Sequence, residues 1–108
     1  MVPHPLPEPL AELIAQRFRV IGEPTRIRIL DALRDGPRTV NELTEALGGT
    51  QQNVSKHLGV LAQAGIVGRE RAGNHVRCAI ADPSVFELCE IVCGGLRRQA
   101  SDLEELLA

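Results

Sequence analysis

The sequence has no tryptophan and no tyrosine, and Phe18 and Phe86 are its only phenylalanines. Proteins that bind single-stranded nucleic acid stack bases on aromatic platforms, so that class is disfavoured. No apolar run approaches about 18 residues, which excludes a transmembrane helix and a membrane partner. No signal peptide is expected ahead of the domain. Three cysteines, a small and odd number, suit a cytoplasmic protein better than a disulfide-stapled secreted one. A length of 108 residues makes one domain the expectation and leaves no room for separate catalytic and regulatory domains. What is present is globular in composition, 44% hydrophobic and 24% charged, which excludes disordered and collagen-like classes. The net charge of −2 would argue against DNA as a partner if the charges were evenly spread. They are not. Residues 50–81 hold four basic residues and one acidic, whereas residues 82–108 hold two basic and six acidic.

Prolines at positions 3, 5, 7 and 9 predict an extended arm over residues 1–9, ahead of a domain spanning residues 10–108. From Leu10 the apolar residues Leu10, Leu13, Ile14, Phe18 and Ile21 recur at helical spacing until Gly22. A second helix opens at Pro24 and carries Ile27, Leu30 and Leu33 before Asp35-Gly36-Pro37. Thr39 with Glu42 three residues on is a capping-box pattern for a third helix, which buries Val40, Leu43 and Leu47 and ends at Gly48-Gly49. Thr50 caps a fourth, with Val54, Leu58 and Leu61 on one face and Gly65 as its stop. The period then changes to two. Ile66–Arg71 and His75–Ile80 read as strands around Ala72-Gly73-Asn74, a hairpin. Asp82 and Pro83 open a long final helix toward Leu107.

Two short helices with a glycine turn, followed by a hairpin, make a winged helix-turn-helix: mainly α with a β-hairpin wing, in the order α1-α2-α3-α4-β1-β2-α5. At 100° per residue the fourth helix turns Gln52, Ser55, Lys56, Gly59 and Gln63 outward. That face is free of acid. Its first turn carries Gln51, Gln52 and Asn53, whose amides match the N6/N7 edge of adenine, and Lys56 reaches a guanine edge or a phosphate. In the hairpin, Arg71, Gly73, Asn74, His75 and Arg77 are candidates for contact with phosphates or a narrow minor groove. The expected partner is a double-stranded DNA operator, with Thr50, Gln51, Gln52, Asn53, Ser55, Lys56 and His57 supplying the helix side. His57, at the flank of this helix, is expected to pack or bond to backbone and not to bind metal, since no second ligand stands at helical spacing beside it.

The stretch Ile21-Gly22-Glu23-Pro24-Thr25-Arg26-Ile27-Arg28-Ile29-Leu30 resembles the opening of the second helix in arsenic-repressor (ArsR/SmtB) winged-helix regulators. Residues 51–67, Gln-Gln-Asn-Val-Ser-Lys-His-Leu-Gly-Val-Leu-Ala-Gln-Ala-Gly-Ile-Val, resemble that family's recognition helix and its entry to the wing. The resemblance covers about residues 10–107. It implies a homodimer, paired through the first and last helices, that represses transcription from an operator and is released from DNA by an effector.

On the last helix Val85, Phe86, Leu88, Cys89, Val92, Cys93 and Leu96 cover a wide apolar arc. So wide an arc suggests two packing partners, the chain's own core and a second subunit. The family's thiol-based metalloid box lies in the third helix, which has no cysteine here. Its zinc or nickel sites on the last helix need histidine, and His4, His57 and His75 all lie elsewhere. What the chain does carry is Cys89 and Cys93, one turn apart, with Cys78 on the second wing strand. No cofactor is certain. The cysteines read either as structural small hydrophobes or as ligands of a thiophilic metal or metalloid, or as sensors of a redox or sulfur species. Two rival functions remain. An enzyme is disfavoured because Ser55 and His57 diverge on their helix and no phosphate loop is present. A winged-helix protein-interaction module, or an effector-independent regulator with structural cysteines, is the alternative to a ligand-released repressor.

Overall fold

In a computed structural model describing residues 1–108, the chain forms α1 (Glu8–Ile21), α2 (Pro24–Ala32), β1 (Arg38–Thr39), α3 (Val40–Leu47), α4 (Gln51–Gln63), β2 (Val67–Ala72), β3 (His75–Ile80) and α5 (Ser84–Leu107). The three strands make one antiparallel sheet in the order β1-β3-β2. The winged helix-turn-helix expectation holds, with two differences at the edges. Helix α1 begins at Glu8, inside the segment expected to be an arm; Pro9 sits in the first turn, where its missing N–H has no helical partner to lose. The two-residue strand β1, pairing Arg38 with Cys78 and Thr39 with Arg77, was not expected. Two residues cannot show a period.

Local chemistry sets the helix ends. Thr39 and Glu42 form the reciprocal capping box of α3, and Gly48 closes that helix at φ +73°. Gly22 stands where a Cβ would lie 2.9 Å from the Phe18 carbonyl, so only glycine lets the chain turn so tightly out of α1. At the end of α4 the Ile66 N–H donates to the Leu61 carbonyl and the Gly65 N–H to that of Ala62, with Gly65 at φ +76°. This double closure, with Ile66 packed beside Leu61, bends the chain directly into β2.

Twelve side chains form the core. Val54, Leu58 and Leu61 of α4 lie at its centre, against Ile29, Leu30 and Leu33 of α2 and Leu43 of α3. Below the hairpin sit Ile66, Val67 and Cys78, and α5 contributes Val85. The α4 stripe is as expected, but other stripes are covered only in part. Of the α1 stripe only Ile21 is buried, whereas Leu13 and Phe18 face outward. Ile27 of α2 is also exposed, and Ile29 takes the buried place beside Leu30.

Helix α5 is anchored at its first turn. Arg17 of α1 donates to the Ala64 carbonyl at the end of α4 and to Asp82 Oδ2 at 2.6 Å. Asp82 Oδ1 accepts from the Ser84 hydroxyl at 2.6 Å and from its N–H at 3.1 Å; Pro83 and not Asp82 takes the N-cap position, and Asp82 holds the first residue of the helix from one position further back. The Ser84 hydrogen bonds, and after them Arg17, hold the Asp82 carboxyl below the usual carboxylate range. A depressed carboxyl stabilises the fold above its unfolded pKa, and that contribution is lost as pH falls through the folded value. Thermal unfolding of Asp82→Asn should therefore trail the wild type by a margin that is full at neutral pH and closes in acid. A margin independent of pH would show that shape, not charge, carries the effect.

Candidate nucleic-acid interface

Because Val54, Leu58 and Leu61 are buried, the opposite side of α4 is turned to solvent. Gln51, Gln52, Asn53, Ser55 and Lys56 are all exposed. The helix starts where Thr50 Oγ accepts the Asn53 N–H at 3.1 Å, which leaves the Thr50 hydroxyl hydrogen free to donate outward. The hairpin stands beside this face. A two-residue turn joins Ala72 to His75, with Gly73 at φ +64°, a conformation that hairpin turns require and L side chains resist. Gln51 and Ser55 of α4, Asn74 and His75 of the hairpin, Thr39 of β1 and Asn41 of α3 line one polar cleft of about 250 Å³.

The sheet register divides the hairpin candidates. Residues paired across an antiparallel sheet share a face. Arg71 is opposite Val76 and Arg69 opposite Cys78, on the face that turns toward the core. Arg77 is opposite Glu70 and His75 opposite Ala72, on the other face. Arg71 and Arg77 are both exposed and, like Lys56, in no ion pair. They point to different sides of the hairpin, which suits a ribbon entering a groove edge-on with one face toward each wall.

His57 does not join this surface. Its side chain is 13% exposed, with Nδ1 3.0 Å from Arg26 Nη1 and 3.6 Å from Glu23 Oε2. Arginine is only a donor, so Nδ1 accepts and the ring proton lies on Nε2. Glu23 caps α2 through the Arg26 N–H at 2.9 Å, and Arg26 also donates to the Val20 and Arg19 carbonyls. His57 thus ties α4 to the α1–α2 junction, in line with the packing role expected for it and against its place among the DNA candidates. Asn41 is the residue that sequence reasoning missed: its Oδ1 accepts from Gln51 Nε2 at 2.8 Å. No spacing rule links two amides ten residues apart on separate helices.

The cysteines fall into two environments. Cys78 is fully buried between β1 and β2, and burial pushes its thiol pKa up. It is a core residue, set apart from the two cysteines of α5. Cys89 and Cys93 line an apolar groove of about 330 Å³ between α5 and the α1–α2 corner. Phe18 (53% exposed), Val92 (53%) and Leu96 (60%) wall the same groove. No three His, Cys, Asp or Glu side chains gather anywhere in the chain to hold a metal ion, and no helix is long and apolar enough to cross a membrane.

Comparison with known proteins bears on the family and the fold. The helix-turn-helix domain family matches residues 21–69. The HTH-type transcriptional regulator Rv0081 of Mycobacterium tuberculosis (strain ATCC 25618 / H37Rv), itself uncharacterised, is 41% identical over 106 residues, covering 94% of this chain and 93% of its own. Its crystal structure superposes with a TM-score of 0.79 at 40% identity, over 89% of this chain and 97% of that one. The HTH-type transcriptional repressor SmtB of the same strain is 39% identical over 100 residues, 93% of this chain and 72% of its own. The crystal structure of AntR, an antimony-specific transcriptional repressor, gives a TM-score of 0.76 at 31% identity, over 88% of this chain and 86% of that one.

The Thr50 cap gives a test of how the face is built. Thr50→Ala should destabilise the protein by about 1 kcal/mol in urea unfolding, the usual cost of a lost cap. Thr50→Ser, which keeps the oxygen, should lose much less. Equal losses would show that the methyl group and not the hydroxyl matters.

Proposed function

Because the chain belongs to the ArsR/SmtB family of winged helix-turn-helix transcriptional regulators, we propose that it represses transcription as a homodimer that lays the outward face of α4 in the major groove of its operator. It is a regulator and not an enzyme. The observation that carries the reading is the exposed, acid-free face of Gln51, Gln52, Asn53, Ser55 and Lys56 beside a hairpin bearing Arg71 and Arg77. Gln and Asn amides there read base edges, Thr50 and Lys56 position the helix on phosphates, and the hairpin tip at Gly73-Asn74 with His75 follows the adjoining groove. A second copy covers the groove between α5 and the α1–α2 corner. That cover removes Phe18, Val92 and Leu96 from water and supplies the two-fold symmetry that a palindromic operator mirrors.

Fluorescence anisotropy with duplexes from the protein's own upstream region tests the reading. Affinity should fall steeply with salt as counterions are released. Lys56→Glu should weaken binding to every duplex, whereas Gln52→Ala should relax preference at one base pair. Absence of binding at low salt would leave the winged helix as a protein-interaction module.

The groove also supports a reading of regulation. Cys89 and Cys93 face it one helical turn apart, and the two-fold dimer doubles them to four thiols. Soft thiolate donors without histidine or carboxylate suit a thiophilic metal or metalloid and not a hard cation. Such an ion would supply a soft cross-link between the α5 helices, with Cys89 and Cys93 as its ligands. Operator release by arsenite or mercuric ion should disappear in Cys89→Ser and Cys93→Ser, with operator affinity in the absence of ion unchanged. Native mass spectrometry should show the wild-type dimer taking up the ion, and Leu96→Glu should run as a monomer. Release by a persulfide donor but not by either ion would assign the thiols to a sulfur species. Unchanged release in both variants would leave them structural.

A further inference from the structure

Of the base-reading candidates on α4, Gln51 is held by a second element before any DNA arrives. Its Nε2 donates to Asn41 Oδ1 at 2.8 Å. Asn41 lies in the first turn of α3, which the Thr39–Glu42 capping box fixes through bonds of 3.2 Å (Glu42 N–H to Thr39 Oγ1) and 3.0 Å (Thr39 N–H to Glu42 Oε1). The backbone that carries Asn41 is therefore held in place, although both amides are exposed.

A glutamine amide has two N–H groups and one carbonyl oxygen. With one N–H given to Asn41, the oxygen and the other N–H remain for DNA. An acceptor beside a donor is the complement of adenine, which offers its N6–H as donor and N7 as acceptor in the major groove. A free glutamine would first have to give up its rotamer freedom, and Asn41 removes that cost in advance.

We infer that Asn41 is a positioning residue for base recognition, orienting the Gln51 amide so that it reads an adenine in the major groove. Asn41 acts through its carbonyl oxygen and need not touch the base. The inference rests on the operator-binding reading above and adds to it which base is read and what aims the reader.

Selection of duplexes from a random pool, followed by sequencing, separates the two. The full-length wild type should enrich adenine at one position of each half-site. Gln51→Ala should lose that preference alone, since one bidentate contact accounts for about tenfold discrimination. Asn41→Ala should lose most of the same preference while keeping the wild-type circular dichroism and melting temperature to within a few degrees. Asn41→Asp keeps the acceptor oxygen and should restore the adenine preference, while its added negative charge weakens binding to all duplexes alike. The inference is overturned if Asn41→Ala selects the same adenine as the wild type, if Asn41→Asp fares no better than Asn41→Ala, or if Gln51→Ala keeps the preference. A wild type that enriches no sequence at all would instead overturn the operator reading, and this inference with it.

Discussion

The orientation of the exposed α4 face depends on the burial of one stripe, Val54, Leu58 and Leu61, on the inner side of that helix. These three side chains are at most 1% exposed and meet residues from α2, α3 and the hairpin base in a core of only twelve. Burying a branched aliphatic side chain of this size contributes roughly 1.5–3 kcal/mol, so in a domain this small the same stripe is a large part of the stability. Its helical period also fixes the rotation of α4. With the inner face committed, Gln52, Ser55 and Lys56 have nowhere to point but outward.

A second constraint fixes the angle between that face and the hairpin. The closure at Gly65 turns the chain from α4 straight into β2, with Leu61 and Ile66 both fully buried on either side of the turn. The Ile66 carbonyl then accepts the N–H groups of Ala81 and Asp82, at 2.8 and 3.2 Å, which brings the end of β3 back to the start of β2. Arg17 adds a third tie by joining the Ala64 carbonyl to Asp82. The end of α4, both ends of the hairpin and the first turn of α5 therefore meet at one place. A ligand in the groove along α5 would have a short covalent and hydrogen-bonded route to α4 and the hairpin. On the proposed reading it would alter operator affinity only by the difference in its own contacts between two arrangements of these elements.

Much of this was legible in the sequence because local rules suffice for it. The capping box at Thr39, the Thr50 cap, the Gly65 stop and the α4 stripe each occupy a few neighbouring residues, and each formed as expected. What failed needed information from elsewhere in the chain. The stripe on α1 shows that one face is apolar but not what covers it, and Phe18 and Leu13 lie in the open. His57 carried no mark of Glu23 and Arg26, which are more than thirty residues away, and so kept its place among the DNA candidates. The alternation of Arg71 and Arg77 was visible, but the sheet register was needed to see that they leave by opposite faces. Asn41 had no signal at all until α3 and α4 were packed together.

The charge distribution gains its meaning from the same geometry. A total of −2 looks unsuited to DNA only while the chain is treated as a uniform body. Residues 50–81, with four basic residues and one acidic, make up α4 and the hairpin, and Glu70 is opposite Arg77 on one face of that hairpin. Five of the six acids in residues 82–108 lie along α5. Exposed charges separated by more than about 8–10 Å are largely screened at physiological salt. On the proposed reading, contact with phosphate would therefore be governed by the basic α4 and hairpin and not by the total. The distant acids would act at longer range and lower salt, where they would oppose approach of the α5 side to a duplex and so favour one orientation over the other.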